Sequence, residues 1–181
     1  LLWRLAGVSE EVALERNILS GAVSIAAVLV ALAVIDKVGR KPLLLIGSTG
    51  MAVTLAAMTW AFSGASADAA GNLALSDTAG LTALVAANLY VIFFNFSWGP
   101  VMWVMLGEMF PNQMRGSALA VAGLAQWGAN YLVVQSFPAL ADGIGLAGTY
   151  ALYTASAVIS IFLVRSFIQE TKGKELEDMQ G

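Results

Sequence analysis

The sequence contains no cysteine and no histidine, and charged residues make up only 12% of its 181 positions. Without cysteine and histidine the chain has no disulfide, no thiol nucleophile, no histidine base and no zinc site of the usual type. No nucleophile–base pair or glycine-rich phosphate loop stands out either. The formal net charge of −3, without a basic stripe, offers no footprint for nucleic acid. We therefore expect neither an enzyme, nor a cofactor, nor a nucleic-acid partner.

Apolar residues are what the sequence has in excess. They make up 59% of the chain, and the mean hydropathy is +0.78. Soluble domains contain about 45–50% apolar and about 25% charged residues, so this chain has too little charge to cover its apolar surface in water. Because lipid offers no hydrogen-bond partner to a backbone, long apolar runs must be helical. The composition predicts an all-α membrane protein.

Five apolar runs are long enough to cross the hydrocarbon core, which takes about 20 helical residues. Leu1–Ala6 is interpreted as the tail of an earlier, sixth span. Ala65–Gly80, rich in small residues, is predicted to be a mobile loop. The predicted spans are Val12–Ile35, Pro42–Gly64, Leu81–Gly107, Ser117–Ala141 and Gly148–Ile168.

Lysine and arginine concentrate in alternate breaks, after the first, third and fifth spans. Only Arg4 and Arg16 fall on the opposite side. An excess of basic residues in short loops marks the cytoplasmic side of a membrane. We expect a multi-pass protein of the plasma or inner membrane whose C-terminus is cytoplasmic. The basic residues that set this orientation are Lys37, Arg40, Lys41, Arg115, Lys172 and Lys174.

The fourth span carries a polar stripe. Gly123, Gln126, Trp127 and Asn130 recur at spacings of three and four, which places them on one face of a helix. Two carboxamides one turn apart donate and accept hydrogen bonds in pairs, as neighbouring sugar hydroxyls do. The alternative is that each amide bonds a neighbouring helix.

The third span combines aromatic residues with a helix-weakening pair. Phe94, Asn95, Gly99, Pro100 and Trp103 follow one another there. Pro100 removes a backbone hydrogen bond and predicts a bend, which would turn Phe94 and Trp103 towards a central cavity. The alternative is that these aromatic side chains face lipid or the membrane interface.

Two of the charged breaks carry both signs of charge. Asp36 and Arg40 flank a tight turn at Gly39, and Glu108 precedes Arg115 across the next such break. One interpretation is that the basic members only anchor the topology. The other is that the charges form ion pairs between helix ends, which are made in one conformation and broken in another.

These motifs resemble those of the sugar porter family of the major facilitator superfamily, and more closely its bacterial sugar–proton symporters than its animal glucose facilitators. The resemblance covers essentially the whole chain, with the motifs in the right order. It rests on Asp36–Lys41, Gly99–Trp103, Glu108–Pro111, Arg115–Gly116, Gln126–Trp127 and Glu170–Gly173.

The resemblance implies a twelve-helix fold made of two six-helix halves. Residues 1–168 would form the C-terminal transmembrane half, from the end of helix seven through helix twelve, and residues 169–181 a cytoplasmic tail. The implied function is transport of a monosaccharide by alternating access, with proton-coupled symport. The implied partners are the sugar, the lipid bilayer and the N-terminal half of the same protein. The alternative is a sugar sensor that keeps the fold without transporting.

The resemblance also implies roles for individual residues. Trp103 is similar to the tryptophan that packs against the sugar ring, and Gln126 and Trp127 to a contact pair in helix eleven. Ser24 stands where many members have an asparagine. The implied sugar-binding residues are Ser24, Phe94, Asn95, Gly99, Trp103, Gln126, Trp127 and Asn130. The implied gating ion pairs involve Asp36, Arg40, Glu108, Arg115 and Glu170.

Overall fold

The computed structural model describes residues 10–67 and 73–172, which are almost entirely helical. Four helical stretches are long and apolar enough to cross a membrane. This confirms the predicted all-α membrane fold, whereas Leu1–Ala6 lies outside the described residues. The helices are α1 (Glu10–Val38), α2 (Arg40–Ser63), α3 (Asp77–Phe96), α4 (Trp98–Met109) and α5 (Asn112–Phe167).

The last helix, α5, makes two passes. Its 56 residues would measure about 84 Å if straight, far more than a hydrocarbon core of about 30 Å. At Gly145 the backbone leaves the helical region with φ 74° and ψ 168°, a conformation that favours glycine. The rings of Phe137 and Tyr153 lie 6.4 Å apart, although a straight helix would separate them by about 24 Å. The chain therefore turns back at Gly145, and the fourth and fifth predicted spans form a hairpin.

A short β-hairpin joins α2 to α3. Strand β1 (Ser66–Ala67) pairs antiparallel with β2 (Leu73–Ala74). The hydroxyl of Ser76 then accepts a hydrogen bond from the backbone N–H of Ala79 at 3.3 Å, which caps the start of α3. The interpretation of Ala65–Gly80 as a loop is therefore corrected: its ends form the hairpin and the first turn of α3.

The third predicted span is broken between α3 and α4. Pro100 has no N–H to offer the carbonyl of Phe96 one turn earlier, and its ring crowds that carbonyl. Ser97 adopts φ −127° and ψ −84°, and helical bonding resumes where the N–H of Val101 donates to the Ser97 carbonyl at 2.9 Å. The predicted bend is confirmed, but the break lies at Ser97 because the proline acts on the turn before it.

Helix α2 lies at the centre of the packing. In its apolar 18-residue segment 56% of the residues are buried, against 11–17% in the corresponding segments of the other three spanning stretches. A Cβ at Gly47 would lie 1.6 Å from Oγ of Ser97, and a Cβ at Gly50 would lie 2.3 Å from the ring of Phe93. Glycine at these two positions lets α2 approach α3 closely, as small residues do in membrane helix pairs.

Apolar side chains pack at both ends of α2. Near its last turn the rings of Phe62 and Tyr150 stack at 5.2 Å. Near its first turn, Leu43 and Leu44 pack with Val101 of α4 and Val164 of α5. We call this second end, where α1, α4 and α5 finish and α2 begins, the charged end, because the charged side chains described next lie there.

Candidate functional site

Arg40 connects three helices at the charged end. Its side chain, on the first turn of α2, is 10% exposed. Nε and Nη2 donate to the two carboxylate oxygens of Glu108 at 3.0 and 2.5 Å, and Nη2 also lies 2.9 Å from Oδ1 of Asp36. Two parallel bonds between a guanidinium and a carboxylate are the strongest form of this interaction. Arg40 thereby joins the end of α1 to the end of α4.

Glu108 has a second partner in the segment that follows α5. Thr171, which is 5% exposed, donates its hydroxyl to Oε2 of Glu108 at 2.7 Å. Sequence reasoning assigned no role to Thr171. The only sequence signal for this contact was that a hydroxyl-bearing residue follows Glu170 just after a spanning helix. The contact holds this segment against the last turn of α4.

The Glu170 carboxylate lies at the N-terminus of α2. It accepts hydrogen bonds from the backbone N–H groups of Arg40 at 2.9 Å, Lys41 at 3.1 Å and Lys172 at 3.0 Å. The first N–H groups of a helix have no partner inside the helix and carry partial positive charge, so an anion is stabilised there. Gly39 at the N-cap has no side chain, and Glu170 supplies the cap from 130 residues away.

The electrostatics of this cap favour the ionised carboxylate. Burial disfavours the charge, but the backbone hydrogen bonds, led by that of Arg40, outweigh it and lower the pKa of Glu170. Gly39 leaves room for the carboxylate, since a Cβ there would lie 2.6 Å from Oε2 of Glu170. Its φ of 101° also lies in the left-handed region. Both the space and the backbone conformation therefore require glycine.

Two lysines complete the charged end by binding backbone carbonyls. Nζ of Lys172 donates to the carbonyl of Lys37 at 2.5 Å, and Nζ of Lys41 donates to the carbonyl of Arg165 at 3.0 Å. A cation at the last turn of a helix satisfies carbonyls that have no partner within the helix. These bonds tie the ends of α1 and α5 to the segments beside them.

Arg115 stands apart from the other four predicted gating residues. Its Nε lies 3.4 Å from the carbonyl oxygen of Phe110, and its buried Nη2 has no hydrogen-bond partner on any described residue. Within residues 10–67 and 73–172 no carboxylate pairs with it, whereas Asp36 and Glu108 both pair with Arg40. The first turn of α5 therefore holds a half-buried guanidinium whose Nη2 has no hydrogen-bond partner among the described residues.

A second set of predicted residues lies on α4 and the first part of α5. A Cβ at Gly123 would lie 3.6 Å from Cη2 of Trp103, so the indole rests against α5. Gln126, one turn further on, is half-buried, and its buried Oε1 has no hydrogen-bond partner among the described residues. Trp127 is 69% exposed, and Asn130 is exposed as well. We call Trp103, Gln126, Trp127 and Asn130 the aromatic–amide face.

Three further predicted residues meet at the break between α3 and α4. A Cβ at Gly99 would lie 3.4 Å from the carbonyl oxygen of Phe94 and 4.0 Å from Oδ1 of Asn95. The ring of Phe94 stacks on that of Tyr90, with 6.5 Å between the ring centres. Tyr90 lies one helical turn before Phe94, and sequence reasoning missed it. The eighth predicted residue, Ser24, is half-buried on α1. In the part of the chain that the structure describes, no group of three or more acidic, histidine or cysteine side chains is placed to hold a metal ion.

Known proteins are similar to this chain in both sequence and fold. The family model described as sugar (and other) transporter matches residues 2–181. A glucose transport protein of Synechocystis sp. is 50% identical over 99% of this chain and 38% of its own length. A D-xylose–proton symporter of Escherichia coli is 36% identical over 99% of this chain and 35% of its own length.

The structural comparison agrees. The structure of the major facilitator superfamily proton:xylose symporter XylE bound to 6-bromo-6-deoxy-D-glucose superimposes with a TM-score of 0.81 at 37% identity. That superposition covers 96% of this chain and 35% of XylE. The chain thus spans little more than a third of the length of these relatives. It belongs to the family of sugar (and other) transporters within the major facilitator superfamily.

Proposed function

We propose that this chain is the C-terminal half of a longer carrier that moves a monosaccharide across a cell membrane by alternating access. The observation that carries the proposal is a division of polar groups. At the charged end Arg40, Glu108 and Glu170 all find hydrogen-bond partners, although Nη2 of Arg115 on the first turn of α5 does not. On the aromatic–amide face, Oε1 of Gln126 has no partner among the described residues. The similarity to a glucose transport protein and to a D-xylose–proton symporter supports a sugar as substrate and proton-coupled symport as the mode.

The sugar would bind at the aromatic–amide face and at the break beside it. Oε1 of Gln126 is buried and no described residue donates a hydrogen bond to it, a situation that costs free energy unless a ligand hydroxyl supplies the proton. The indole of Trp103 presents a flat apolar surface for the C–H face of a pyranose. Trp127 and Asn130 are exposed in the described chain, so they are free to contact the sugar. Phe94, Asn95 and Gly99 would complete this side of the site, with Ser24 contributing from α1.

The charged end would act as the cytoplasmic gate. Arg40 bridges α1 and α4 through Asp36 and Glu108, while Glu170 and Thr171 hold the segment after α5 against α2 and α4. These contacts stabilise the conformation in which the charged end is shut, and they must separate for sugar to leave on that side. Arg115 would take part only in another conformation, in which its Nη2 finds a partner.

The topology of the proposal follows from the basic residues. Lys37, Lys41, Arg165 and Lys172 all lie at the charged end, which by the positive-inside rule is cytoplasmic. Residues 1–168 would then be the transmembrane half, and residues 169–181 a cytoplasmic tail. The partners would be the sugar, the bilayer of the plasma or inner membrane, and the N-terminal half.

Uptake by the full-length protein in proteoliposomes tests this function. We expect uptake of radiolabelled D-glucose or D-xylose that increases with an inward proton gradient. Trp103→Ala should reduce uptake at least about tenfold, because it removes a surface that covers the sugar. Trp60→Ala is the matched control, since Trp60 is 61% exposed on α2, which carries none of the proposed sugar contacts. Sugar binding without uptake would favour the sensor, and the absence of both would reject the proposal.

A further inference from the structure

A partly buried hydrogen bond links α2 to the start of α4. Nε1 of Trp98, which is half-buried, donates to Oγ of Ser48, which is fully buried, at 2.8 Å. A buried hydroxyl needs a partner, and so does an indole N–H that is withdrawn from water, and each supplies one for the other here. Ser48 lies on a helix that carries none of the proposed sugar contacts, whereas α4 carries Trp103.

The same part of α2 lies directly on the break that precedes α4. Gly47 leaves no space between the α2 backbone and Ser97, whose Oγ donates to the carbonyl of Phe93 at 2.9 Å. Because Pro100 removes one backbone hydrogen bond across this break, the helix ladder alone does not fix the direction of α4. Side-chain contacts must therefore set the direction of α4. The hydrogen bond to Ser48 is made by Trp98, the first residue of α4.

The two tryptophans of α4 lie on opposite sides of the helix. Five residues rotate a helix by about 140°, so Trp98 faces α2 while Trp103 faces away from it. Val101 and Met105, on the α2 side, are 0% and 4% exposed. On the other side the ring of Trp103 reaches Gly123 of α5. Any rotation of α4 about the break therefore moves Trp103 relative to α5.

We propose that Ser48 is a positioning residue for the sugar site. Through Trp98 it fixes the direction of α4 after the break and thereby the place of the Trp103 ring beside Gln126. The expected effect on sugar affinity rests on the proposed function. The geometric link between Ser48 and Trp103 does not depend on it.

Sugar binding to the purified full-length protein tests the consequence. Ser48→Ala and Trp98→Phe remove opposite ends of one hydrogen bond, and each should raise the Kd of the transported sugar about fivefold. The double variant should lose no more than either single variant, and Ser48→Ala should add nothing in a Trp103→Ala background. Ser160→Ala is the control, because among the described residues its Oγ donates to the carbonyl of Ala157 within its own helix, at 2.7 Å, and to no other helix.

Fluorine NMR of the same protein labelled with 5-fluorotryptophan tests the link without sugar. The Trp103 resonance, assigned by its loss in Trp103→Phe, should move or broaden in Ser48→Ala and stay in place in Ser160→Ala. An unmoved resonance together with parental affinity in folded Ser48→Ala overturns the proposal. A moved resonance in a protein that binds no sugar supports the link and rejects the proposed function instead.

Discussion

The charged end and the aromatic–amide face differ in how many of their polar groups find partners inside the chain. At the charged end, Arg40 bonds two carboxylates and Glu170 accepts three backbone hydrogen bonds. On the aromatic–amide face the buried Oε1 of Gln126 has no hydrogen-bond partner in the part of the chain that the structure describes, and Trp127 is 69% exposed. A paired group holds a conformation, whereas an unpaired one remains available for a ligand. This difference in pairing indicates that the charged end stabilises one conformation and that the aromatic–amide face binds the substrate.

Arg40→Ala should break the charged end most severely. It leaves the carboxylates of Asp36 and Glu108 without the cation that both of them contact. The free energy of unfolding should fall by about 2–4 kcal/mol. This is at the lower end of the cost of breaking a buried ion pair, because the Glu108 side chain is partly exposed to solvent. The measurement is the midpoint of thermal unfolding of the purified full-length protein. Arg165→Ala removes an exposed arginine of the same end and should change stability by less than about 0.5 kcal/mol. Equal effects of the two variants would contradict this assignment.

Gly39→Ala should damage the same end through the backbone. The new Cβ would lie 2.6 Å from Oε2 of Glu170 on a residue with φ of 101°. We expect a loss of about 1–3 kcal/mol from strain and a displaced cap. Gly21→Ala is the control, because nothing lies within 4 Å of a Cβ at Gly21 on α1. A stability equal to the parent would show that Glu170 does not depend on Gly39.

Asp36→Ala should have a small effect on stability and a larger one on conformation. The Asp36 side chain is 79% exposed, so the loss of its pair with Arg40 should cost about 0–1 kcal/mol. Even about 1 kcal/mol shifts a balanced two-state population roughly fivefold towards the open charged end. The labelling rate of a single cysteine introduced near the charged end would report the shift, since the chain has no native cysteine. An unchanged rate would leave Asp36 without a gating role.

Lowering the pH from 8 to about 5 should leave the Glu170 cap intact. Its pKa is lowered in the folded state, so the cap is fully present above the ordinary value of 4.5 and is lost only as pH falls through the lower, folded value. At each pH the labelling rate of the parent is divided by that of Glu170→Gln, which removes the charge at every pH and serves as the reference for an uncharged cap. This ratio cancels the pH dependence of the thiolate itself and should be constant over this range. A ratio that approaches one between pH 8 and 5 would contradict the lowered pKa.

Local signals in the sequence predicted most of the fold. The length of the apolar runs predicted the spans, and Pro100 predicted the bend in the third span. The break lies at Ser97, because a proline disturbs the helical turn before it. The hairpin within α5 followed from the gap between the fourth and fifth runs. Its turn at Gly145 required a left-handed φ, which the sequence does not specify among several neighbouring glycines.

The candidate site was less accessible to sequence reasoning. Charge pattern pointed to Asp36 and Arg40, but nothing local indicates that Thr171 bonds Glu108, 63 residues away, or that Glu170 caps α2. The bond between Ser48 and Trp98 was missed for the same reason. Hydrogen bonds between distant helices leave no periodic signal, because they depend on how the helices pack.

The division of roles between the two regions is tested most directly by measuring sugar affinity and cysteine labelling at the charged end in the same two variants of the full-length protein. Gln126→Ala should weaken sugar binding by about 1–3 kcal/mol, because it removes a partner of buried sugar hydroxyls, and should leave the labelling rate unchanged. Asp36→Ala should raise the labelling rate and leave sugar binding measurable. Parental sugar affinity in Gln126→Ala, or the same two changes in both variants, would contradict the account.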